Sequence, residues 1–398
     1  RFGEVLRAGY RGNDVDRGQV ERVSVRLLCS LAALKGERQM CEFNVIILSR
    51  KGFDSSAGGG YSPFDPKTRK YILLPIPEED KIAKSISNPL KFEGIKIEGG
   101  YLPGCDTSNL KELLEMFSED KRNGELPRDI GRWEPKVNKQ GAKHAHFDPW
   151  LRNCPWLKEE SKHSLGAFGQ ESRAQAILEN QGVGKGSLFL FFSRFVPVPK
   201  SENGINIEKG HNRGHINRKH LNEGLYFIYG WLKVGEIIEK FEDIDRKIPN
   251  RELGKELKRR HPHAKRKYFD ECKGNNNTIY IASEYLFDDS KDYLGCGYFP
   301  MLSDEQLLTA TDCAQPKEQN WIPTRWEIPP GFFQETCHPL SPLRKAKWVT
   351  TKDGACLVET SRGHWQEAAF DKTEEFCDWF RKELLPKMRV QEKLVKCD

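Results

Sequence analysis

The sequence predicts an α+β protein with a mixed, mainly antiparallel sheet or barrel, surrounded by peripheral helices and long loops. Apolar runs of strand length recur along the chain, and they are rich in β-branched and aromatic residues. Few segments have the apolar spacing of an amphipathic helix, and polar stretches punctuated by glycine and proline separate the runs. A sheet is therefore expected to be the central element, with helices at its periphery.

Five apolar runs are predicted to be strands of this sheet. Each is bounded by residues that favour turns, and the longest run contains Gly230 and Gly235, which suit β-bulges. A hairpin is expected at 91–100, and a further strand with alternating polar residues at 362–370. The five runs cover 43–48, 71–77, 187–192, 225–238 and 278–282.

Three helices are predicted from apolar spacing and from residues that cap helix ends. Thr107 or Ser108 would cap the first helix, and Gly182 stands where the second would end. The helices cover 107–119, 171–181 and 372–384, and the polar segments at 120–143 and 198–223 are predicted to be loops.

The composition indicates a soluble globular protein with reduced thiols. Hydrophobic residues make up 37% and aromatic residues 11% of 398 residues, which is enough to build a core. The net charge of +6 permits contact with nucleic acid without requiring it. The 11 cysteines are odd in number and include no C-x-x-C pair, which argues against a disulfide framework or a structural zinc cluster. No apolar run reaches the roughly 18 residues of a membrane span, so we expect an intracellular protein, cytoplasmic or nuclear.

One main domain is predicted, covering 40–385. Met40 immediately precedes the first predicted strand, so residues 1–39 are expected to be a poorly ordered extension of little structural weight. A short tail is expected at 386–398.

A glycine-rich loop that follows the first strand is the first candidate site. It runs from Ser49 to Phe64 as SRKGFDSSAGGGYSPF. Glycine allows positive φ, so backbone N–H groups at a strand end can form a concave anion site. The loop has neither GxxxxGK[ST] nor GxGxxG spacing, but its charges and hydroxyls suit a nucleotide or phosphate, and a flexible surface loop is the alternative. The expected ligand-binding residues are Ser49, Arg50, Lys51, Ser55, Ser56, Gly58 and Gly59, with Asp54 as a catalytic carboxylate.

The segment HAHFDP is the second candidate site. At the spacing of a strand, His144, His146 and Asp148 can share one face. Such a set can bind a divalent metal, and His146 or Asp148 can alternatively act as a catalytic general base or contact substrate. A hydrogen-bonded turn, in which Asp148 precedes Pro149, is the structural alternative.

Polar side chains near the second predicted helix form a third candidate. Gln170, Arg173 and Gln175 precede or begin that helix. Glutamine and arginine read base edges and phosphates, so these residues are expected to bind ligand. A solvated helix face explains them equally well.

Two later stretches also have both a functional and a structural explanation. The run KRRHPHAKRK at 258–267 suits phosphate contact or a solvated surface. Because His261 and His263 flank Pro262, we expect an extended loop there rather than a helix. The aromatic residues at 321–333 suit base stacking or, more simply, packing on the core.

The strands at 187–192 and 225–238 resemble those of small β-barrels of the PUA, ASCH and EVE type. The resemblance lies in a strand that opens after a glycine-rich turn, GxGSLFLFF, and in a partner strand, FIYGWLKVGEII. It would place a PUA-like portion at 165–300. Barrels of this type recognise RNA bases or modified DNA bases, whereas any antiparallel sheet with a glycine bulge would give the same pattern.

Several short motifs together resemble the nucleotide modification associated domain 3 family, whose members are associated with hypermodification of DNA bases. The motifs are ILSRKGFDSSAGG (47–59), LLPIP (73–77), HAHFDP (144–149), FGQ (168–170), QGVGKGSLFLFF (181–192), YGWLKVGE (229–236) and NNTIYIA (276–282). The resemblance spans roughly 43–370, is most specific at SRKGFDSSAGG, and departs from the family pattern at 1–39 and 198–223. It implies a role in making or handling modified bases, with a nucleotide or DNA as partner, and no particular reaction. The matching positions are Ser49, Arg50, Lys51, Asp54, Ser55, His146, Asp148, Gln170 and Gln175.

Two functional hypotheses follow. In the first, the protein is an enzyme that binds a nucleotide or a base in DNA, with Arg50 and Lys51 on phosphate and His146 or Asp148 as general base. Asp54 would orient a sugar or base group. In the second, the protein is a non-catalytic reader of modified bases. The joint site requires the loop at 49–60 and the HAHFDP segment to line one pocket.

Overall fold

The computed structural model describes most of the chain after residue 42. All described residues belong to one compact unit, Phe43–Asp398, and the extension expected at 1–39 lies outside them. The described residues are 43–53, 60–78, 90–123, 144–158, 165–198, 204–208, 213–217, 220–221, 223–248, 250–271, 276–314, 321–328, 347–350, 356–359 and 367–389.

Strands and short helices alternate along the described chain. The strands are β1 (Val45–Arg50), β2 (Ser62–Phe64), β3 (Ile76–Pro77), β4 (Ala145–His146), β5 (Ala167–Gln170), β6 (Leu188–Pro197), β7 (Ile205–Ile207), β8 (Gly214–Ile216), β9 (Leu225–Ile238), β10 (Thr278–Ala282), β11 (Tyr285–Phe287), β12 (Ser290–Leu294), β13 (Cys296–Tyr298), β14 (Arg325–Glu327), β15 (Lys347–Thr350), β16 (Cys356–Glu359) and β17 (Glu367–Asp371). The α-helices are α1 (Leu110–Asn123), α2 (Ser172–Asn180), α3 (Asp243–Lys247), α4 (Arg251–Arg260), α5 (Arg266–Glu271), α6 (Glu374–Trp379) and α7 (Leu385–Met388). Short 3-10 turns occur at Phe92–Gly94, Pro262–Ala264, Asp304–Gln306 and Asp312–Ala314, and a π-helical turn, Phe380–Leu384, joins α6 to α7.

An eight-stranded sheet forms the centre of the molecule. Its strand order is β17-β1-β6-β9-β10-β5, with β13 also paired to β9 and β2 to β6. Strands β1 and β2 run parallel to β6, and the other pairs are antiparallel. The predicted α+β fold with a mainly antiparallel sheet is therefore confirmed. The described strands leave this sheet open rather than closed as a barrel, so the PUA-like portion at 165–300 stays a prediction.

The two central strands, β6 and β9, are buried along most of their length, which explains their nearly continuous apolar sequences. Two bulges in β9 interrupt its pairing with β6 and with β10. One lies at Tyr229, and the other lies at Gly235, where the partner strand β10 passes from Ile281 to Ala282. A Cβ atom on Gly235 would lie 2.7 Å from the Cα of Ser283. The bulge expected in this strand thus requires glycine because the backbones approach closely.

The predicted helices are present, with shifted ends. α1 begins at Leu110, and Asn109 caps it, because Asn109 Oδ1 accepts a hydrogen bond from Glu112 N at 3.1 Å. The cap predicted at Thr107 or Ser108 is therefore wrong by one or two positions. α2 matches its predicted range closely, and the C-terminal helix continues through the π turn to α7. Within the described residues, no helix combines the length and the apolar composition needed to cross a bilayer.

The segment at 71–77 is buried but mostly irregular, so the strand predicted there is wrong except at its end. Pro75 and Pro77 lack the N–H donors that a strand ladder needs. Tyr71 makes an isolated antiparallel bridge with Phe64, and the last two residues pair as β3 with β4. Between them a side chain also takes part, because Leu74 N donates a hydrogen bond to Ser62 Oγ at 3.0 Å.

Two further local predictions are wrong. The segment at 91–100 contains a 3-10 turn, Phe92–Gly94, in place of a hairpin. The insert at 198–223 is not wholly a loop, because β7 and β8 pair as a hairpin that buries Ile207 and Ile216. Single isoleucines in a polar sequence give too weak a pattern to predict strands of three residues.

The basic run at 258–267 is mostly helical, so the extended loop predicted there is wrong. Asn250 caps α4 by accepting hydrogen bonds from two backbone N–H groups of its first turn, at 3.0 and 3.2 Å. Pro262 follows the end of α4, and His261 has the extended backbone that a residue before proline prefers. The cations of the run form ion pairs: Lys258 with Asp245, Arg259 and Arg260 with Glu256, and Arg266 with Glu242. Phosphate contact by this run stays a prediction.

Candidate functional site

Polar and ionisable side chains from distant parts of the chain meet where the two edges of the central sheet approach each other. β5 and β17 lie at opposite ends of the strand order, yet Gln170 of β5 donates a hydrogen bond to Glu367 of β17 at 2.6 Å. Rings of β5 and β6, which are not neighbours in the sheet, also touch: Phe168 lies 4.9 Å from Phe189 and 5.2 Å from Phe191 between ring centroids. The sheet is therefore strongly curved, and side chains bridge its edges although its strands do not close.

Glu367 is the acceptor at the centre of the first group of side chains. Its side chain is 2% exposed, and it stands beside Ser49 in the register of β17 with β1. Its Oε1 accepts hydrogen bonds from Gln170 Nε2 at 2.6 Å and from Ser49 Oγ at 3.3 Å. The same oxygen lies 3.3 Å from Lys51 Nζ. Three donors thus converge on one buried carboxylate oxygen.

Lys51 is held on two sides at the point where β1 leads into the glycine-rich loop. Besides its ion pair with Glu367, its Nζ lies 4.6 Å from the centre of the Phe168 ring. The next residue, Gly52, has φ +95°, and a Cβ there would lie 2.8 Å from Leu73 Cδ1. Only glycine allows the chain to turn at this position without moving its neighbours.

The HAHFDPW segment lies along the free edge of β5. This pairing positions a second group of side chains, which surrounds Asp148. Trp150 N donates to the Ala167 carbonyl at 2.8 Å, and Ala167 N donates to the Trp150 carbonyl at 2.9 Å. Further along the same edge, Gly169 N donates to Asp148 Oδ1 at 2.9 Å. An edge strand has unpaired N–H groups, and here one of them holds a carboxylate.

Three histidines surround Asp148. His261 Nε2 lies 3.0 Å from Asp148 Oδ1, and His261 is fully buried. Each of His146, Asp148 and His263 has one potential ligand atom within 4.8 Å of those of the other two. The rings of His146 and His263 are 5.0 Å apart between centroids, at an interplanar angle of 89°.

Outer partners orient two of these histidines. His146 Nδ1 lies 2.9 Å from Glu78 Oε2, and the hydroxyl of Tyr268 donates to Glu78 Oε1 at 3.3 Å. His263 Nδ1 lies 2.7 Å from Asn277 Oδ1, while Asn277 Nδ2 donates to the His263 carbonyl at 3.1 Å. Since carboxylate and amide oxygens accept, Nδ1 carries the proton in the neutral form of each ring, and Nε2 then keeps the lone pair.

The motif FGQ joins the two groups through three consecutive residues of β5. The Phe168 ring lies beneath Lys51, and the Gln170 amide donates to Glu367. Between them, Gly169 lies so close to His263 that a Cβ would be 2.3 Å from its ring. Each position of the motif therefore has a separate packing or hydrogen-bonding requirement.

The electrostatics of the cluster push its ionisable groups in different directions. Burial alone would raise the pKa of Asp148, but its contact with His261 and the charge of Lys51 hold that pKa well below its ordinary value. Burial alone would lower the pKa of His146, but the hydrogen bond with Glu78 and the charge of Glu78 raise it. Burial lowers the pKa of His263 to about 3, so this ring stays neutral. The charge of Lys51 also acts on the pKa of His146, so the start of the loop and the HAHFDP segment share one electrostatic environment.

The structure brings together some of the sequence-predicted site residues and leaves others apart. Ser49, Lys51, His146, Asp148 and Gln170 all belong to the cluster. The loop residues Asp54, Ser55, Ser56, Gly58 and Gly59 lie outside the described residues.

The remaining predicted residues lie around or away from the cluster. Gln175 is buried and accepts a hydrogen bond from Tyr280 at 3.1 Å. Arg173 is exposed and Arg50 is half-buried. His144 is not part of the group formed by His146, Asp148 and His263.

Sequence reasoning missed several members of the cluster. His261 and His263 were assigned to a basic surface run, yet both are buried. The flanking Pro262 gave no hint of this, because burial of a histidine is set by distant parts of the chain. The other missed residues are Glu78, Tyr268, Asn277 and Glu367.

An apolar pocket lies beside the same segments. The space between its walls, counted together with the adjoining open solvent, is about 390 Å³. Phe147 and Trp150 of the HAHFDPW segment help to line it, and Arg260, which precedes His261, is the one charged residue among the wall residues that the structure describes. Two of the described wall residues, Phe147 and Arg260, are next in sequence to members of the cluster, whereas none of the ionisable cluster residues is among the described lining residues.

Comparison with known proteins places the whole cluster in one family domain. The model of a family described as nucleotide modification associated domain 3 matches residues 45–371. This range contains every member of the cluster, from Ser49 to Glu367. No curated protein and no solved structure matches the chain.

Proposed function

Since this chain belongs to the nucleotide modification associated domain 3 family, we propose that it binds a nucleotide, or a base within DNA, at the buried ionisable cluster and takes part in hypermodification of that base. Family membership gives the chain a role associated with nucleotide modification. The observation that carries the finer proposal is the convergence of Lys51, Glu367 and Gln170 with the Asp148 group at one place.

Stability alone does not explain this cluster. Removing an ion from water costs several kcal/mol even after relaxation, and apolar residues of similar volume often stabilise a core as well or better. Here an ion pair, a low-pKa carboxylate and three histidines lie close together between two sheet edges. Perturbed ionisable groups that cluster in this way are typical of sites that perform chemistry.

The residues suit separate tasks. Lys51 is the cation at the start of the glycine-rich loop and is 11% exposed, which suits a phosphate or another developing negative charge. Gln170 and Glu367 supply an amide and a carboxylate for the edge of a base. His146, oriented by Glu78, suits the role of general base or acid. We propose that Arg50, Asp54, Ser55 and Ser56 of the glycine-rich loop contact the same ligand.

Binding measurements with matched lysine variants test the proposal. Mononucleotides and short DNA are titrated against the wild type, Lys51→Ala and Lys185→Ala. Lys185 is an exposed lysine that also pairs with a glutamate, so it controls for loss of one charge. A charge-assisted hydrogen bond contributes about 1.5–3 kcal/mol, so Lys51→Ala should weaken binding roughly 10- to 100-fold. Lys185→Ala should leave the affinity unchanged.

The variant His146→Gln separates an enzyme from a reader. In an enzyme, this variant keeps most of the binding and loses turnover. A non-catalytic reader of modified bases shows no turnover in the wild type and loses affinity only with Lys51. Binding of sulfate as tight as that of nucleotide or DNA would overturn both hypotheses.

A further inference from the structure

The group of His146, Asp148 and His263 has an arrangement that the general-base role proposed for His146 does not require. Its three potential ligand atoms lie within 4.8 Å of one another, and they come from β4, the segment after it and the 3-10 turn at Pro262–Ala264. Two imidazoles and one carboxylate are a common ligand set for a divalent transition metal in a site that keeps open positions.

Each of the three side chains is held by its own outer partner. Glu78 fixes Nδ1 of His146, and Asn277 fixes Nδ1 of His263. A carboxylate or amide oxygen on Nδ1 sets the tautomer and leaves Nε2 as the ligand atom, as in most metal-binding histidines.

Asp148 is fixed in the same manner. The N–H of Gly169 donates to its Oδ1, and His261 Nε2 lies 3.0 Å from the same atom. Both contacts that the described residues make with this carboxylate use Oδ1. They orient the carboxylate and leave Oδ2 available to a metal ion. If His146, His263 and Asp148 only filled the core, they would not each need a separate partner to orient the ligand atom.

We propose that His146, Asp148 and His263 bind one divalent first-row transition-metal ion of the Zn²⁺ or Fe²⁺ type, with Glu78, Asn277 and the Gly169 N–H orienting the ligands. Ligand atoms about 2.0–2.2 Å from such an ion lie closer together than in this structure, so side-chain movements on the order of 1 Å close the site. In this site His146 is a metal ligand instead of the general base considered above, and metal binding is measured without any nucleotide.

The choice of His263 as the third ligand distinguishes this site from a metal site on the HAHFDP segment alone. His144 is two residues from His146, but it does not belong to the three-residue group. A pair of equivalent substitutions, His263→Gln and His144→Gln, therefore separates the two ligand sets with the same chemical change.

Zn²⁺ titration of the full chain after chelator treatment tests the proposal. The wild type and His144→Gln should bind about one equivalent with equal affinity. Asn277→Ala removes an outer partner and should weaken binding roughly 10- to 100-fold, and His263→Gln should weaken it further. Bound Co²⁺ provides an independent readout through its visible absorption, and anaerobic Fe²⁺ binding competes with it.

A second ligand variant protects against misfolding. Asp148→Asn keeps Oδ1 as an acceptor for Gly169 N and removes the charge, so it should fold and lose Zn²⁺. Equal urea midpoints of the variants in chelator show that their folds are comparable. The proposal is overturned if the wild type binds no Zn²⁺, if His263→Gln and Asp148→Asn bind as tightly as the wild type, or if His144→Gln alone loses the metal.

Discussion

Removal of the Glu367 carboxylate should destabilise the protein by several kcal/mol. In Glu367→Ala, the ammonium of Lys51 loses its partner, and the Gln170 amide and the Ser49 hydroxyl lose their acceptor. Breaking one side of a buried ion pair costs about 3–5 kcal/mol, and each stranded neutral donor adds about 1–3 kcal/mol. Because Lys51 is 11% exposed and can turn partly to water, we expect about 4–6 kcal/mol for Glu367→Ala.

Glu367→Gln should cost less, since all three donors use Oε1 and glutamine keeps that oxygen. Replacing charged by neutral hydrogen bonds predicts about 1–3 kcal/mol.

Urea unfolding followed by tryptophan fluorescence measures both effects. The matched control is Glu236→Ala, whose carboxylate is 38% exposed and pairs with a lysine that is 62% exposed. Surface pairs of this kind contribute about 0–1 kcal/mol. The reasoning is refuted if Glu367→Ala and Glu236→Ala lower the free energy of unfolding by the same amount, or if Glu367→Gln costs more than Glu367→Ala.

Other positions give independent tests. Gly169→Ala should destabilise by about 1–3 kcal/mol through overpacking, because its Cβ would lie 2.3 Å from the His263 ring. Gly254→Ala, whose nearest neighbouring side-chain atoms are 4.0 Å away in α4, should instead stabilise by up to about 1 kcal/mol; urea midpoints that move in the same direction would contradict this pair. Asn109→Ala removes the cap of α1 and should lower the free energy of unfolding by about 1 kcal/mol. A change smaller than the error of the urea measurement would disprove this prediction. Cys296 is buried, and its burial raises the pKa of the thiol. Iodoacetamide should therefore label the Cys296 peptide only after unfolding, as measured by mass spectrometry, and rapid labelling of the native protein would contradict this.

The sequence predicts the central strands well because their burial on both faces produces apolar runs that need no knowledge of neighbours. β6, β9 and β10 are of this kind. The predicted ranges of β9 and β10 match the structure, and β6 continues from its predicted end at 192 to Pro197. The segment at 71–77 has the same apolar composition, but its prolines prevent a ladder and place it in the core as irregular chain. Apolar composition thus predicts burial more reliably than it predicts strand pairing.

The candidate site is predicted only in part, for a different physical reason. Ser49, Lys51, His146, Asp148 and Gln170 come from motifs whose residue types suggest chemistry. The missing partners become visible only when the sheet curves and brings strands from opposite ends of its order into contact. Local charge gives the wrong answer at 258–267, since the cations remain at the surface while the two histidines between them are buried.

The motif FGQ shows why the two halves of the site depend on one strand. β5 is an edge strand, so its outer N–H groups are free to hold the HAHFDPW segment and the carboxylate of Asp148. Side chains alternate along a strand, so Phe168 and Gln170 reach the same face, where they meet Lys51 and Glu367. The absence of a side chain at Gly169 lets His263 approach the backbone on the other side. A ring, no Cβ and an amide are therefore required in that order. Any exchange among the three positions would separate the group around Lys51 and Glu367 from the histidine group.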